Sequence, residues 1–307
     1  MKQLLNIDNL DYKDLQDLIN RTLIHSRKNS PKTLKDKRVG LIFSEVSLRT
    51  QISFTIAVQL LGGISTMITI PHFTTEFDGT PREDICDILR SLEGWMDIFI
   101  IRDYSGQILK EALQNIRLPI IDGFCGDNHP TQTIADLGII KNESGKIQDV
   151  EICCVCPNFG SGVMESFALG AVMMGARVIF LISGGEYKPK NKDFFIRLNK
   201  IKRECKGKLA ITNNHIEALK NAEFLYVDEW WKNSKNFLDI EMNELKVDND
   251  FLKNAPKNIK VMHYLPAHHE REISKQVLYS DFSIAFKQAE FRLYSAMASL
   301  EYVHKII

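Results

Sequence analysis

The strongest constraint in this sequence is an alternation. Short apolar runs of strand length recur between segments with helical spacing. The run 39–43 is followed by Phe54, Ala57, Val58 and Leu61, which fall at i, i+3, i+4 and i+7. Gly62-Gly63 supplies a C-cap for that helix. The alternation continues with strands over 65–70, 97–101 and 119–122 and helices over 84–92 and 108–113. A further helix follows Pro130 through Ile134 and Leu137. The pattern then restarts, with strands over 150–156, 177–182, 209–212, 224–227 and 260–263. The helices among them cover 163–174, 194–205, 216–219 and 288–304. Ahead of them all, Leu15, Leu18, Ile19 and Leu23 mark an amphipathic helix after Asp11. Strands alternating with helices build parallel sheets covered on both faces. The chain therefore reads as α/β, with two doubly wound parallel-sheet domains. Lys141-Asn142-Glu143-Ser144-Gly145 is the natural boundary between them.

Composition narrows the function classes. Of 307 residues, 44% are hydrophobic, and 39 lysines and arginines balance 39 aspartates and glutamates. Such a chain is too apolar and too neutral to be disordered. Neutrality argues against a nucleic-acid partner, which usually demands a basic excess. It leaves room for a small anionic ligand, whose site needs only a few cations. No apolar run approaches the roughly 20 residues of a membrane helix. The N-terminal Met1 to Asp8 lacks the apolar stretch of a secretory signal. Cys153, Cys154 and Cys156 sit inside one apolar strand and read as small buried hydrophobes. A zinc reading of these cysteines lacks a second pair at finger spacing. Together these features predict a cytoplasmic protein.

In a doubly wound fold, ligands bind outside the carboxyl ends of the strands. The loop after strand 39–43 reads Ser44-Glu45-Val46-Ser47-Leu48-Arg49-Thr50 and opens a helix. A helix N-terminus already favours an anion. Ser47 and Thr50 add hydroxyl donors, and Arg49 adds a planar fork suited to phosphate. The plainer alternative is an ordinary N-cap beside a surface arginine. Arg102 opens the loop after strand 97–101. His129 precedes Pro130, which fits a first helical position, and Gln132 follows on a similar face. His263-Tyr264-Leu265-Pro266-Ala267 ends the strand at 260–263.

Ser47-Leu48-Arg49-Thr50, His129-Pro130-Thr131-Gln132 and His263-Tyr264-Leu265-Pro266 resemble the three signature motifs of the aspartate/ornithine carbamoyltransferase family. They stand in the family's order and at similar separations. The segment 262–273 and Ala289-Glu290-Phe291-Arg292-Leu293 resemble the ornithine branch. The resemblance covers essentially the whole chain. It implies a carbamoyl phosphate-binding domain over 1–140, joined by a C-terminal helix over 287–307, and an acceptor domain over 141–286. The implied reaction moves the carbamoyl group of carbamoyl phosphate to an amine of an amino acid, ornithine-like in the first instance.

The resemblance also assigns roles. Ser47, Leu48, Arg49, Thr50, Arg102, His129, Gln132, Leu265 and Arg292 bind carbamoyl phosphate. Thr50, Arg102 and His129 point donors at its carbonyl oxygen, where charge grows as the amine attacks. Gln132 and the Leu265 carbonyl hold its amide. Asp228, Lys232, Asn233 and Tyr264 fall to the acceptor. No metal or organic cofactor is implied, because phosphate leaves readily and the rest is positioning. The implied assembly is a homotrimer with shared active sites, and residues 74–84, with Arg82 nearby, match the loop that reaches the neighbouring subunit.

This chain departs from the pattern mainly on the acceptor side. The ornithine branch usually has a cysteine at Tyr264, near the amino acid's reacting end. Its Ser-Met-Gly segment reads Lys232-Asn233-Ser234 here, and its paired asparagines align with Ser161-Gly162. The aspartate branch's acceptor arginine also aligns near Gly162. The second arginine of the first motif is Gln51. Lys232 is either a cation for an acceptor carboxylate or a solvated surface lysine. The alternatives are therefore aspartate carbamoyltransferase activity and a catalytically inactive carbamoyltransferase-like binding protein. Two rivals of other classes are weaker. A dinucleotide site at Gly160-Ser161-Gly162 meets Glu165 where a third glycine is needed. A metal site among His263, His268, His269, Glu270 and Glu272 lacks helical His-Glu-x-x-His spacing.

Overall fold

A computed structural model describes residues 2–27, 31–70, 82–156, 158, 160–230 and 244–304. It divides into two compact units, residues 1–135 with 292–307 and residues 136–291. The first unit holds β1 (Arg38–Phe43), β2 (Ile64–Thr69), β3 (Ile98–Arg102) and β4 (Ile120–Asp122). These strands form one parallel sheet in the order β2-β1-β3-β4. The second unit holds β5 (Glu151–Val155), β6 (Arg177–Leu181), β7 (Lys208–Thr212), β8 (Phe224–Val227) and β9 (Lys260–His263). They form a parallel sheet in the order β7-β6-β5-β8-β9. In each sheet the strand order reverses once, between β1 and β3 and between β5 and β8. Such switch points leave a crevice at the strands' carboxyl ends.

Helices connect the strands. They are α1 (Tyr12–Ser26), α2 (Leu48–Leu60), α3 (Ile85–Glu93), α4 (Gln107–Asn115), α5 (Pro130–Ser144) and α6 (Gly162–Met173). Then come α7 (Phe194–Glu204), α8 (His215–Leu219), α9 (Lys275–Leu278) and α10 (Ala285–Val303). The α/β expectation is met, and most predicted element ends lie within three residues of the observed ones. The exception is α5. Its last turn runs through Lys141 to Ser144, the peptide read from sequence as a boundary, and Gly145 at φ 76° follows it. The division between units falls inside α5 and inside α10. The short α9 was not anticipated.

Local chemistry explains several ends. Asp11 caps α1 by accepting the Asp14 N–H at 2.7 Å. Helix α2 stops in a Schellman turn. Gly62, at φ 87°, donates to the Gln59 carbonyl at 3.0 Å, and Gly63 donates to Val58 at 2.8 Å. A Cβ at Gly63 would sit 3.0 Å from the Lys37 carbonyl oxygen, so both glycines are needed. Strand β3 is buried throughout, as a central parallel strand covered on both faces should be. On β5, Cys153 and Cys154 are fully buried free thiols, and burial pushes both pKa values up. They pack as small hydrophobes, as the sequence suggested. In the first unit the end of α10 returns to α1. Buried Glu301 pairs with His25 Nε2 and Arg21 Nε, each at 3.1 Å, and accepts the Thr33 hydroxyl at 2.9 Å.

Candidate active site

The first unit gathers its predicted residues at the β1/β3 switch point. Phe43 and Arg102 are register partners at the ends of β1 and β3. The Ser44 N–H donates to the Arg102 carbonyl at 3.0 Å. This pairing brings the start of α2 beside the Arg102 side chain. Ser47 is the N-cap of α2, but its hydroxyl makes no capping bond. The ordinary N-cap alternative therefore loses its hydrogen bond, and the helix end keeps backbone donors for an anion. Arg49 is half-buried in the first turn, next to exposed Leu48.

Thr50 is the focus. Its Oγ1 accepts Arg102 Nη1 at 3.4 Å and Arg292 Nη2 at 3.2 Å. Arg292 also donates through Nη1 to Gln132 Oε1. Thr50, Arg102, Gln132 and Arg292 are all buried. Arg102 donates to the Gly123 carbonyl at 3.2 Å, and its Nε–H has no hydrogen-bond partner among the described residues. Burial lowers the Arg102 pKa from its usual value. Two guanidiniums brought together on one buried hydroxyl make a local positive field suited to a small anion.

His129 completes the cluster. It is buried at the entrance to α5, with Thr131 Oγ1 lying 3.5 Å from its Nδ1. Burial, reinforced by the Arg292 and Arg102 charges, holds its pKa well below the ordinary histidine range. The imidazole is therefore neutral at pH 7 and offers an N–H donor rather than a third cation.

One contributor was not anticipated. Phe124 stacks on His129 with centroids 4.8 Å apart, and the Arg102 guanidinium lies 5.0 Å from the same ring. Tyr104 meets Phe124 edge-on at 5.3 Å. Phe124 holds this position at φ 110°, a conformation that costs a non-glycine residue free energy. Asp122 stabilises the turn, its buried Oδ1 accepting the Phe124 and Cys125 N–H groups at 2.7 Å each. Burial raises the Asp122 pKa to about 8 despite those two bonds. The signal was present in sequence as a glycine-flanked loop, Gly123-Phe124-Cys125-Gly126, directly after a strand.

The second unit has its own cluster at the β5/β8 switch point. Asp228 follows β8 and is fully buried. Its Oδ1 accepts the Tyr264 hydroxyl at 2.7 Å, the Ser161 hydroxyl at 3.1 Å and the Glu229 N–H at 3.0 Å. Its Oδ2 is buried without a hydrogen-bond partner among the described residues. Burial raises the Asp228 pKa to about 7, against the pull of those three bonds. Lys232, Asn233 and Ser234 lie outside the described residues, as do residues 74–81 of the predicted intersubunit loop. Arg82 is described and exposed. Leu265, at φ 57° before a cis peptide bond to Pro266, donates its N–H to His263 Nδ1 at 2.9 Å.

Both rival readings meet other uses of their residues. Glu165 is buried, and its Oε1 accepts the Lys190 N–H at 2.6 Å and the Tyr187 hydroxyl at 3.3 Å. Its Oε2 accepts the Asn191 N–H at 3.0 Å. It clamps the 187–191 segment where a dinucleotide fold would need glycine. Buried His263 meets Glu272 Oε1 at 3.3 Å, while Glu270 pairs with Lys246 at 2.8 Å and His268 with Glu229 at 3.3 Å. No grouping of histidine, cysteine and acidic side chains suited to a metal ion occurs among the described residues.

Comparison with known proteins identifies the family. Residues 2–142 match the carbamoyl-P binding domain of aspartate/ornithine carbamoyltransferase, and residues 148–303 match the Asp/Orn binding domain of the same family. The ornithine carbamoyltransferase of Methanococcus aeolicus is 31% identical over 309 residues, covering 98% of each chain. Among solved structures, the ornithine carbamoyltransferase from Gloeobacter violaceus superposes with a TM-score of 0.85 at 26% identity, covering 99% of this chain and 98% of that one. The Pyrococcus furiosus ornithine carbamoyltransferase shares the fold at a TM-score of 0.88 and 24% identity, covering 100% of this chain and 98% of that one.

Proposed function

The chain belongs to the aspartate/ornithine carbamoyltransferase family and is a carbamoyltransferase, and from that premise we propose that it carbamoylates an ornithine-like diamino acid through the residues gathered at its two switch points. One observation carries the reading. The guanidiniums of Arg102 and Arg292 converge on Thr50 Oγ1, at 3.4 and 3.2 Å, beside the uncapped N-terminus of α2.

In this reading the phosphate of carbamoyl phosphate takes the α2 backbone N–H groups, including that of Leu48, together with the Ser47 hydroxyl, Arg49 and Arg102. Arg292 and Gln132 hold the carbamoyl end. The acceptor amine attacks the carbamoyl carbon, and the carbonyl oxygen gains negative charge. Thr50, Arg102 and neutral His129 supply donors to that oxygen in a dry setting where they count most. The carbon–oxygen bond to phosphate then breaks, the pair leaves on phosphate, and the amine loses its proton. No step calls for a metal or organic cofactor.

On the acceptor side, Asp228 and Tyr264 are the described candidates, with Lys232 and Asn233 assigned from sequence alone. A buried carboxylate at Asp228 suits a substrate with a second, cationic amine and disfavours a dicarboxylate such as aspartate. A purely binding role does not explain why oxyanion donors and phosphate ligands are assembled together.

The test is a panel assay. Purified protein and carbamoyl phosphate are offered ornithine, N-acetylornithine, lysine, putrescine and aspartate, and phosphate release is measured. We expect turnover with ornithine or a close diamino acid. Turnover with aspartate alone would place the activity in the other branch, and release with none at high protein concentration would support the inactive binding protein.

The proposed assembly is a homotrimer in the cytoplasm. Support comes from α2, whose outer face carries Leu48, Ile52, Ile56 and Leu60 at four-residue spacing, all exposed, with Leu48 at 69%. A continuous apolar stripe of that kind marks a protein contact. Light scattering should give three chain masses, and Ile56→Glu should lower the mass; a wild-type monomer would refute the trimer. No described helix is long and apolar enough to cross a membrane.

A further inference from the structure

The hydrogen bonds around Asp228 are lopsided. Oδ1 is saturated by the Tyr264 hydroxyl at 2.7 Å, the Ser161 hydroxyl at 3.1 Å and the Glu229 N–H at 3.0 Å. Oδ2 is equally buried and has no partner among the described residues. The donors are themselves held. The Glu229 N–H also lies 3.1 Å from the Tyr264 oxygen, Ser161 accepts the Met164 N–H at 3.2 Å as the cap of α6, and the Asp228 N–H donates to Val155 at 3.1 Å. The carboxylate therefore has little freedom to turn.

We propose that Tyr264 is a positioning residue for the acceptor: with Ser161 it locks Asp228 Oδ1, so that Oδ2 alone is presented to a cationic ammonium group. This rests on the diamino-acid reading above and adds the group that fixes its geometry. A carboxylate free to rotate would share a ligand between both oxygens. One oxygen saturated by fixed donors leaves a single acceptor direction, and an ammonium fits it because it brings both protons and a compensating charge. The reacting amine must be neutral to attack, so the group on Oδ2 is the acceptor's other amine.

The surroundings make the Tyr264 bond consequential. The titratable groups facing Asp228 include Cys154 and Cys156 at the end of β5, Tyr187, Glu272 and Tyr264. These are neutral or acidic, so they do not favour the anion. Burial pushes Asp228 up to about 7 even with its bonds in place. Removing the shortest of them should cost it the charge that the acceptor needs.

The experiment compares wild type with Tyr264→Phe and Ser161→Ala. Acceptor kcat/KM is followed across pH with ornithine as the probe, and the Asp228 carboxyl carbon is titrated by 13C NMR, assigned with Asp228→Asn. Tyr264→Phe should lower acceptor kcat/KM about tenfold near neutral pH, as expected for loss of a hydrogen bond to a charged group. Its acid limb and the carboxyl titration midpoint should both move upward. Ser161→Ala should shift them in the same direction by less. The KM for carbamoyl phosphate should stay within about twofold, since this cluster belongs to the acceptor unit. A midpoint unchanged in Tyr264→Phe would overturn the inference. If wild type does not use ornithine, the acceptor reading falls, and the NMR midpoint still decides the role of Tyr264.

Discussion

Replacing Arg102 by lysine is the sharpest test of the carbamoyl phosphate half. The substitution keeps a positive charge and removes the plane. In the structure Arg102 Nη1 reaches Thr50 Oγ1 at 3.4 Å and the Gly123 carbonyl at 3.2 Å, while the guanidinium lies 5.0 Å from the Phe124 ring and 5.5 Å from that of Tyr104. A lysine cannot serve two protein acceptors and a phosphate oxygen along fixed directions. The loss of one charge-assisted bond to the substrate is about 1.5–3 kcal/mol, and the lost ring contact adds about 0.5–1 kcal/mol. The sum of about 2–4 kcal/mol corresponds to roughly 30- to 1,000-fold in rate. Burial works in the same direction. It already depresses the Arg102 pKa, and an ammonium starting near 10.4 has less margin than a guanidinium. The assay is kcat/KM for carbamoyl phosphate at saturating acceptor, with thermal unfolding as the check on folding. A well-folded Arg102→Lys protein within threefold of wild type would refute the placing of phosphate against this side chain.

Other substitutions probe separate parts of the argument. Arg49→Ala should abolish the thermal stabilisation given by carbamoyl phosphate, and unchanged stabilisation would remove the α2 loop from the phosphate site. Asp122→Asn keeps an oxygen for the Phe124 and Cys125 N–H groups and removes the acid. The wild-type carboxyl is pushed up to about 8 when folded and returns to the ordinary aspartate value of 3.8 when unfolded, so it costs stability progressively as pH rises between those values. The variant should therefore gain on wild type in urea titrations from pH 5 to pH 8, and equal slopes would contradict the assignment. Glu143 behaves oppositely. Burial opposes its charge, but hydrogen bonds from Lys260 and Lys287 prevail and hold it at about 2. The deficit of Glu143→Gln should be full above pH 4.5 and vanish as pH falls towards 2, and a deficit that persists at pH 2 would show that packing, not charge, is lost.

Much of this fold was legible because it is repetitive. A parallel strand buried on both faces must be a short apolar run, and the connecting helix must show its own period, so β3 and α2 could be read off residue types alone. The cluster proposed to bind carbamoyl phosphate could be located for a related reason. Only residues 44–47 separate helix α2 from the end of β1, so Ser47, Arg49 and Thr50 had to lie near a strand end, and Arg102 ends the neighbouring strand. The glycine-flanked loop marked a turn, but the role of Phe124 within it was not legible. Its place depends on a backbone at φ 110° and on a buried aspartate that holds the turn, and neither follows from a hydrophobic pattern. The same limit explains α5. Polar Lys141 to Ser144 looked like a linker, yet they close a helix whose earlier turns are fully packed.

The acceptor half was harder to read for a different reason. Its identity turns on which oxygen of one buried aspartate is occupied, and by what. From sequence, Tyr264 fell to the acceptor but stood as a departure, a bulky residue where a smaller one was expected, and on that side Ser161 stood as a missing asparagine. In three dimensions the two departures meet at 2.7 and 3.1 Å on the same atom, Asp228 Oδ1. Two changes that each look like the loss of a ligand contact become one arrangement once their common target is known. A relaxed site would be expected to scatter such changes. Their convergence on one oxygen, with its twin left unmet in a buried position, argues for an acceptor site rebuilt around an ammonium group.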